Sequence, residues 1–216
     1  MSENPTDLTR IRRLPQRGRY DKASLYAVLD AGYLCHVAFA VKGRPVVLPS
    51  AYVRVQDEVI VHGAAANAML HQLLDQQQAC LSVSHLDGLV LARSVFNHSF
   101  NYRSAVVFGR PRQISAEQEK RQALQAFTEH IVPGRWQEAR QPTAAELKAT
   151  LVIAVAIEEF SVKIREGAPA DSPADYELPV WAGVVPLSQQ YGTPLPDPQL
   201  AGEEPLPPSV ETLIKQ

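Results

Sequence analysis

Three stretches of this chain carry more polar chemistry than a scaffold needs. Val61-His62-Gly63-Ala64-Ala65-Ala66-Asn67-Ala68-Met69-Leu70 runs from an alternating apolar segment through a glycine into helical spacing. A strand that breaks at glycine and opens a helix offers backbone N–H groups and a positive dipole end to an anion. His98-Ser99-Phe100-Asn101-Tyr102-Arg103-Ser104 crowds donors into the entry of a strand, and Pro179-Val180-Trp181-Ala182-Gly183 sets a tryptophan beside small residues. Taken singly, these read as a tight connection, a bulged loop and a core tryptophan. Taken together they suit a planar aromatic ligand with a phosphate tail. Such a ligand needs amides or cations at one end, strand edges along its ring and an aromatic or apolar cover.

Other chemistries find less support. His36, His62, His71, His85, His98 and His130 lack HxxxH or HxH spacing, so no metal site is expected. No GxSxG elbow, P-loop or GxGxxG occurs. Asp87, Glu158 and Glu159 have no partner that the sequence places, and no catalytic residue is named. Cys35 and Cys80 sit in apolar runs without a CxxC pair and read as buried thiols in a reducing cytoplasm.

The elements that must position these groups are mostly strands. Asp21 is placed to cap a short helix, KASLYAVLDAG, closed by Gly32. YLCHVAFAV and RPVVLPSAYVRV flank Lys42-Gly43 as a hairpin. VIVH forms a third strand ending at Gly63, and Met69, Leu70, Leu73 and Leu74 follow helical spacing. ACLSVSHL and LVLARSVF read as a second hairpin about Asp87-Gly88. YRSAVVFGRPRQI and TLVIAVAIEEFSVKI each read as one long strand, with a helix over 116–130 between them. Thr143 and Glu146 make a capping box, and WAGVVPL is the last strand. Strands in hairpins with a few inserted helices imply a mainly β fold, an antiparallel barrel with peripheral α-helices.

The chain has 216 residues, 45% hydrophobic and 20% charged, which fits one globular domain with appended arms. A net charge of −2 argues against nucleic acid as the main partner. No apolar run approaches the ~20 residues that cross a bilayer, and the polar start does not read as a signal peptide. Residues 1–20 form an arginine-bearing arm (Arg10, Arg12, Arg13, Arg17, Arg19), 21–187 the domain, and 188–216 a proline-rich arm. That last arm either wraps the body or a partner subunit or stays disordered, with regular structure only in its last few residues.

RGRYDKASLYAVLDAG, CHVAFAVKGRPVVLPSAY, VHGAAANAML, LDGLVLARSVFNHSFNYRSAVVFGR, VPGRW, SVKIREG and LPVWAGVVPL together resemble the pyridoxamine 5′-phosphate oxidase-related split-barrel family, in its nitroimidazole-resistance-like branch. The resemblance spans residues 17–187. It implies an FMN-binding split β-barrel of six antiparallel strands, a homodimer with FMN in each of two clefts between the subunits. Leu48, Pro49 and Ser50 would run along the isoalloxazine, and His62 and Gly63 would lie near the ribityl-phosphate. Tyr102, Arg103 and Ser104 would face flavin from a central strand, and Trp181 would approach it from the partner subunit. One departure stands out: where the branch reads close to H-G-S-A-A-S-R-M-L, this chain has Ala64, Asn67 and Ala68. The phosphate grip is left to helix-start amides and Asn67, with an N-terminal arginine as a candidate substitute.

The resemblance implies an FMN-dependent oxidoreductase of an unidentified small molecule. Pyridoxamine-phosphate oxidation itself is disfavoured, because no second arginine cluster is placed by motif to hold a substrate phosphate. Two alternatives stay open. One is a non-enzymatic flavin- or haem-binding protein, with His98 or His36 as axial ligand. The other is a split-barrel dimer that has lost its cofactor.

Overall fold

The computed structural model describes residues 5–200, 202 and 204–215. The first four residues of the expected N-terminal arm, and 201, 203 and 216 of the C-terminal one, lie outside the described residues. In chain order the elements begin β1 (Gly18–Arg19), α1 (Lys22–Leu29), β2 (Leu34–Val41), β3 (Arg44–Val55), β4 (Glu58–Ala64) and α2 (Ala68–Gln76). Next come β5 (Ala79–Leu91), β6 (Ser99–Gly109), β7 (Pro111–Gln113), α3 (Glu117–Ile131), α4 (Arg135–Glu138) and α5 (Ala144–Ala149). The chain finishes with β8 (Thr150–Ala156), β9 (Glu159–Arg165), β10 (Gly183–Pro186) and α6 (Pro208–Leu213).

Local chemistry accounts for many of these ends. Asp21 caps α1 through Ser24 N at 2.8 Å, and Thr143 and Glu146 close a reciprocal capping box on α5. Lys42 and Gly43 both take positive φ (50° and 76°), the geometry a two-residue hairpin loop needs. α1 ends at Asp30 rather than at Gly32. Gly32 serves tertiary packing instead: a Cβ there would meet the His85 ring at 2.7 Å, and its carbonyl holds His130 Nε2 at 2.8 Å.

The strands form one antiparallel sheet in the order β1-β9-β6-β5-β2-β3-β4-β8-β7, with β10 added to β5. It has ten strands rather than the expected six, and it is not closed. Chain breaks inside two expected strands explain part of the count. Gly109 crosses the Ala156 carbonyl so closely that any Cβ would collide with backbone, and β6 ends there before Pro111 starts β7. The TLVIAVAIEEFSVKI segment likewise splits at Ile157-Glu158, so that β8 pairs β4 while β9 pairs β6.

The expected hairpin at Asp87-Gly88 is a bulge within one continuous β5. Arg103 holds Asp87 with two hydrogen bonds of 3.0 and 2.9 Å, and Gly88 lies under Val184 and Val185 of β10. A bulge adds one residue without reversing the chain, so Leu89 and Val90 go on pairing with Phe100 and Ser99.

The sheet curls around a core that includes Leu25, Val37, Tyr52, Leu70, Leu81 and Val162, which α1 and α2 help to cover. A second cluster packs α3, through Ala123 and Phe127, on the opposite face of β4 and β8. Among its described residues, the proline-rich segment from 188 carries no regular element before α6. It folds back on the body: the Tyr191 and Tyr33 hydroxyls lie 2.9 Å apart, and Ser209 N donates to Glu138 at 3.1 Å.

Candidate functional site

The glycine turn is built around its own helix cap. Asn67 Oδ1 accepts from Leu70 N at 3.1 Å, and its amide nitrogen lies where a Cβ on Gly63 would sit 2.8 Å away. Gly63 and Asn67 thus lie together, with the Asn67 oxygen already occupied. Ala65 N and Asn67 N donate to Ala149 O and Ala64 O. His62 points the other way, its ring edge-on to Phe127 at 4.4 Å. Its Nδ1 is buried without a partner, and burial pushes its pKa below the ordinary imidazole value.

Leu48, Pro49 and Ser50 lie on the half of β3 that pairs only with β2. β4 joins β3 from Tyr52 onward, so residues 44–51 present an open backbone edge. Strand alternation then divides the three residues. Pro49 stands opposite His36, whereas Leu48 and Ser50 stand opposite Val37 and Cys35, both fully buried. A proline without N–H fits an edge position.

The same alternation separates Arg103 from its neighbours. The register Pro49–His36–Ser82 on β3, β2 and β5, followed by Ser84–Ser104–Lys163 on β5, β6 and β9, defines one outward face. Tyr102 and Ser104 share it with Ser82, Ser84 and His36. Leu34 (54% exposed) and Val47 (58%) add apolar surface to it. Arg103 lies on the other face, occupied by Asp87. Ser82 and Ser84 escaped the sequence reading, although the polar phase of ACLSVSHL marks them. Glu158 and Glu159, unpartnered in the sequence, hold Arg110 and Thr6.

Trp181 is 67% exposed and lies across Gly183, where a Cβ would touch the indole at 2.9 Å. A short turn over Val95–Asn97 lifts Phe96 into solvent at 94% exposure. That turn is held from below by Asp171, whose fully buried carboxylate accepts from Arg93 N, Ser94 N and Asn97 Nδ2. These hydrogen bonds keep the Asp171 pKa below the usual carboxylate range, the Arg93 N–H contributing most.

The histidines differ in what they leave open. His85 and His130 place Nε2 on the carbonyls of Val28 and Gly32. His98 Nδ1 accepts from Ala92 N at 3.0 Å, which puts its proton on Nε2 and leaves the neutral ring no lone pair for a metal. His71 is exposed with Nε2 on Ala65 O, and His36 is exposed with no hydrogen bond from its ring to any described residue. Among the described residues no group of three or more His, Cys, Asp or Glu is placed to hold a metal ion. No described helix is long and apolar enough to cross a membrane.

A family model described as pyridoxamine 5′-phosphate oxidase matches residues 21–164, more than half of the chain. The chain belongs to the pyridoxamine 5′-phosphate oxidase family. Solved structures share its fold to different depths. The flavocytochrome Anf3 from Azotobacter vinelandii is 39% identical, with 98% of this chain and 99% of that one covered and a TM-score of 0.92. The FAD and haem binding protein from Mycobacterium smegmatis is 42% identical, with 92% and 97% covered and a TM-score of 0.88. A protein assigned to 5-nitroimidazole antibiotic resistance from Bacteroides thetaiotaomicron shares the fold at 20% identity, with 67% and 84% covered and a TM-score of 0.57. No curated protein matches the chain.

Proposed function

We propose that this chain is a redox protein that holds a flavin and a haem, working as a homodimer. The observation that carries this reading is the outward sheet face, uncovered in the single chain, in a protein about two-fifths identical to two flavin- and haem-binding proteins over nearly its whole length. A planar isoalloxazine fits along the open edge of β3 at Pro49, with the hydroxyls of Ser82, Ser84 and Ser104 and the Tyr102 ring on adjoining strands. FAD, rather than the FMN expected from the family pattern, is the flavin this reading favours. The glycine turn lacks the side chains that would grip a mononucleotide phosphate, and the relative from M. smegmatis is named for FAD.

The residues present also fit a haem. An axial ligand needs an accessible imidazole with an unshared ring nitrogen. His36 and His71 meet that requirement, and the hydrogen bond on His98 removes it from the set. When bound, flavin supplies two-electron chemistry and haem one-electron chemistry, and the protein sets their position and environment. The outward face excludes water only when a second copy covers it. In that arrangement the exposed Trp181 of each chain would cover its partner's flavin. Cys35, whose thiol burial pushes up to about 12, stays an inert buried thiol, in keeping with a cytoplasmic protein. A small-molecule electron donor or acceptor belongs to the same reading.

The purified full-length protein tests it. A Soret band with flavin absorbance, and FAD in the heat-released supernatant, is the expected result. Released FMN would return the flavin assignment to the mononucleotide. A flavin spectrum that added haemin leaves unchanged would remove the haem. His36→Ala and His71→Ala assign the ligand, because only the ligating position loses the Soret band.

A further inference from the structure

Most arginines of this fold face a carboxylate: Arg54 meets Asp30, Arg103 meets Asp87, and Arg112 meets Glu58 and Glu119. One buried arginine breaks that pattern. Arg165, at the end of β9, is 8% exposed, yet no carboxylate lies within ion-pair distance of it among the described residues. Its terminal nitrogens reach neutral oxygens, those of Asn101, Gly167 and Ala168, and its Nε is buried with no partner. Glu166, next in the chain, makes no ion pair with it.

Two further cations border this group. β1 pairs with β9 so that Gly18 lies opposite Lys163, which brings Arg17 in from the N-terminal arm. Lys163 stands opposite Ser104, and Arg165 opposite Tyr102. Neither Arg17 nor Lys163 has a carboxylate partner among the described residues. Burial lowers the Arg165 pKa, and the nearby positive charge of Arg17 lowers it further. A buried cation pressed by a second cation is costly unless an anion completes the site.

The arm that delivers Arg17 is fixed rather than loose. Leu14 adopts left-handed backbone (φ 56°), Arg17 N closes a 3-10 turn on Leu14 O at 3.0 Å, and Arg19 Nη1 holds the carbonyls of Gln16 and Gly18. The strand register thus gathers three cations beside two hydroxyl-bearing residues of the outward face, with Arg165 held by its own hydrogen bonds. Guanidinium forks and an ammonium in that arrangement match phosphate oxygens.

We propose that Arg17, Lys163 and Arg165 form a phosphate-binding corner at the β1–β9–β6 edge, and that it takes the diphosphate of a dinucleotide. The proposal rests on the flavin reading for the identity of that dinucleotide, and it answers what replaces the missing grip at the glycine turn. The same corner would equally take the phosphate of a phosphorylated substrate, and the test below separates the two sources.

Full-length protein freed of flavin is titrated with FAD and with riboflavin by fluorescence, and with inorganic pyrophosphate by calorimetry. The variants are Arg17→Ala, Lys163→Ala and the pair together, since Arg165 is buried and its loss endangers folding. Unchanged thermal melts certify that the variants fold. Each single variant is expected to weaken FAD about tenfold or more while riboflavin affinity stays put. Pyrophosphate is expected to bind wild type, displace FAD and fail to bind the pair. Pyrophosphate binding lost in the pair with FAD affinity intact would keep the corner and assign it to a substrate phosphate. If wild type binds no flavin, the flavin reading falls while the pyrophosphate titration still decides the corner. Variants indistinguishable from wild type toward both FAD and pyrophosphate would overturn the proposal.

Discussion

Asn67→Ala tests whether the glycine turn is primarily a helix cap. The Asn67 oxygen makes one 3.1 Å bond to Leu70 N at the start of α2, a helix that buries Met69, Leu70 and Leu73 in the main core. Replacing an N-cap asparagine by alanine costs about 1 kcal/mol. For a chain of this size that corresponds to a fall in Tm of roughly 2–4 °C. Asn67→Asp keeps the capping oxygen and adds a negative charge that suits a helix N-terminus. Its Tm is therefore expected to stay close to wild type. The same substitution would repel a phosphate bound at the turn, so unchanged FAD affinity is expected if the diphosphate lies at the Arg17–Lys163–Arg165 corner. Thermal melts and flavin titrations of the two variants give the answer. An alanine variant that melts with wild type, or an aspartate variant as unstable as the alanine one, refutes the cap argument.

Other substitutions read other parts of the fold. Gly109→Ala would press a methyl group into the backbone carbonyl of Ala156, and loss of soluble protein on expression is expected. Trp181→Ala should leave the Tm nearly unchanged, because the ring is mostly exposed, while weakening flavin in the dimer; unchanged flavin affinity removes Trp181 from the site. His62 has a folded-state pKa depressed by burial, so the unfolded chain binds its proton first on acidification. Its contribution to stability is present above the unfolded imidazole value and is lost as pH falls below that value toward the folded one. His62→Phe keeps the aromatic contact with Phe127 and should flatten the fall in Tm below about pH 6.5. Melts of variant and wild type with equal slopes there would show that His62 does not titrate in this way.

What the sequence made legible is local. The Asp21 cap, the Lys42-Gly43 hairpin and the Thr143–Glu146 capping box depend on residues a few positions apart, and each forms as read. Asp87-Gly88 carries an equally good turn signature, yet Arg103 from the next strand and β10 above Gly88 hold it as a bulge. The breaks at Gly109 and at Ile157-Glu158 follow from where the backbone must cross between neighbouring strands, which no periodicity within the segment records. For the site, the quoted trio Tyr102-Arg103-Ser104 came apart because adjacent strand residues face opposite ways. The proposed phosphate corner was hidden for a different reason. Arg17 and Arg165 lie far apart in the chain, and what sets Arg165 apart is a carboxylate that never arrives. The sequence names an N-terminal arginine as a candidate substitute, and the companions proposed for it lie in the polar phase of SVKIREG.

The central claim, a flavin and a haem held by one chain, is tested most directly by cofactor stoichiometry. Full-length protein expressed with a haem precursor is assayed for haem by pyridine haemochrome and for flavin by chromatography of the released cofactor. FAD and haem in equimolar amounts with the chain are predicted. A colourless protein that takes up neither FAD nor haemin when both are supplied would contradict the account.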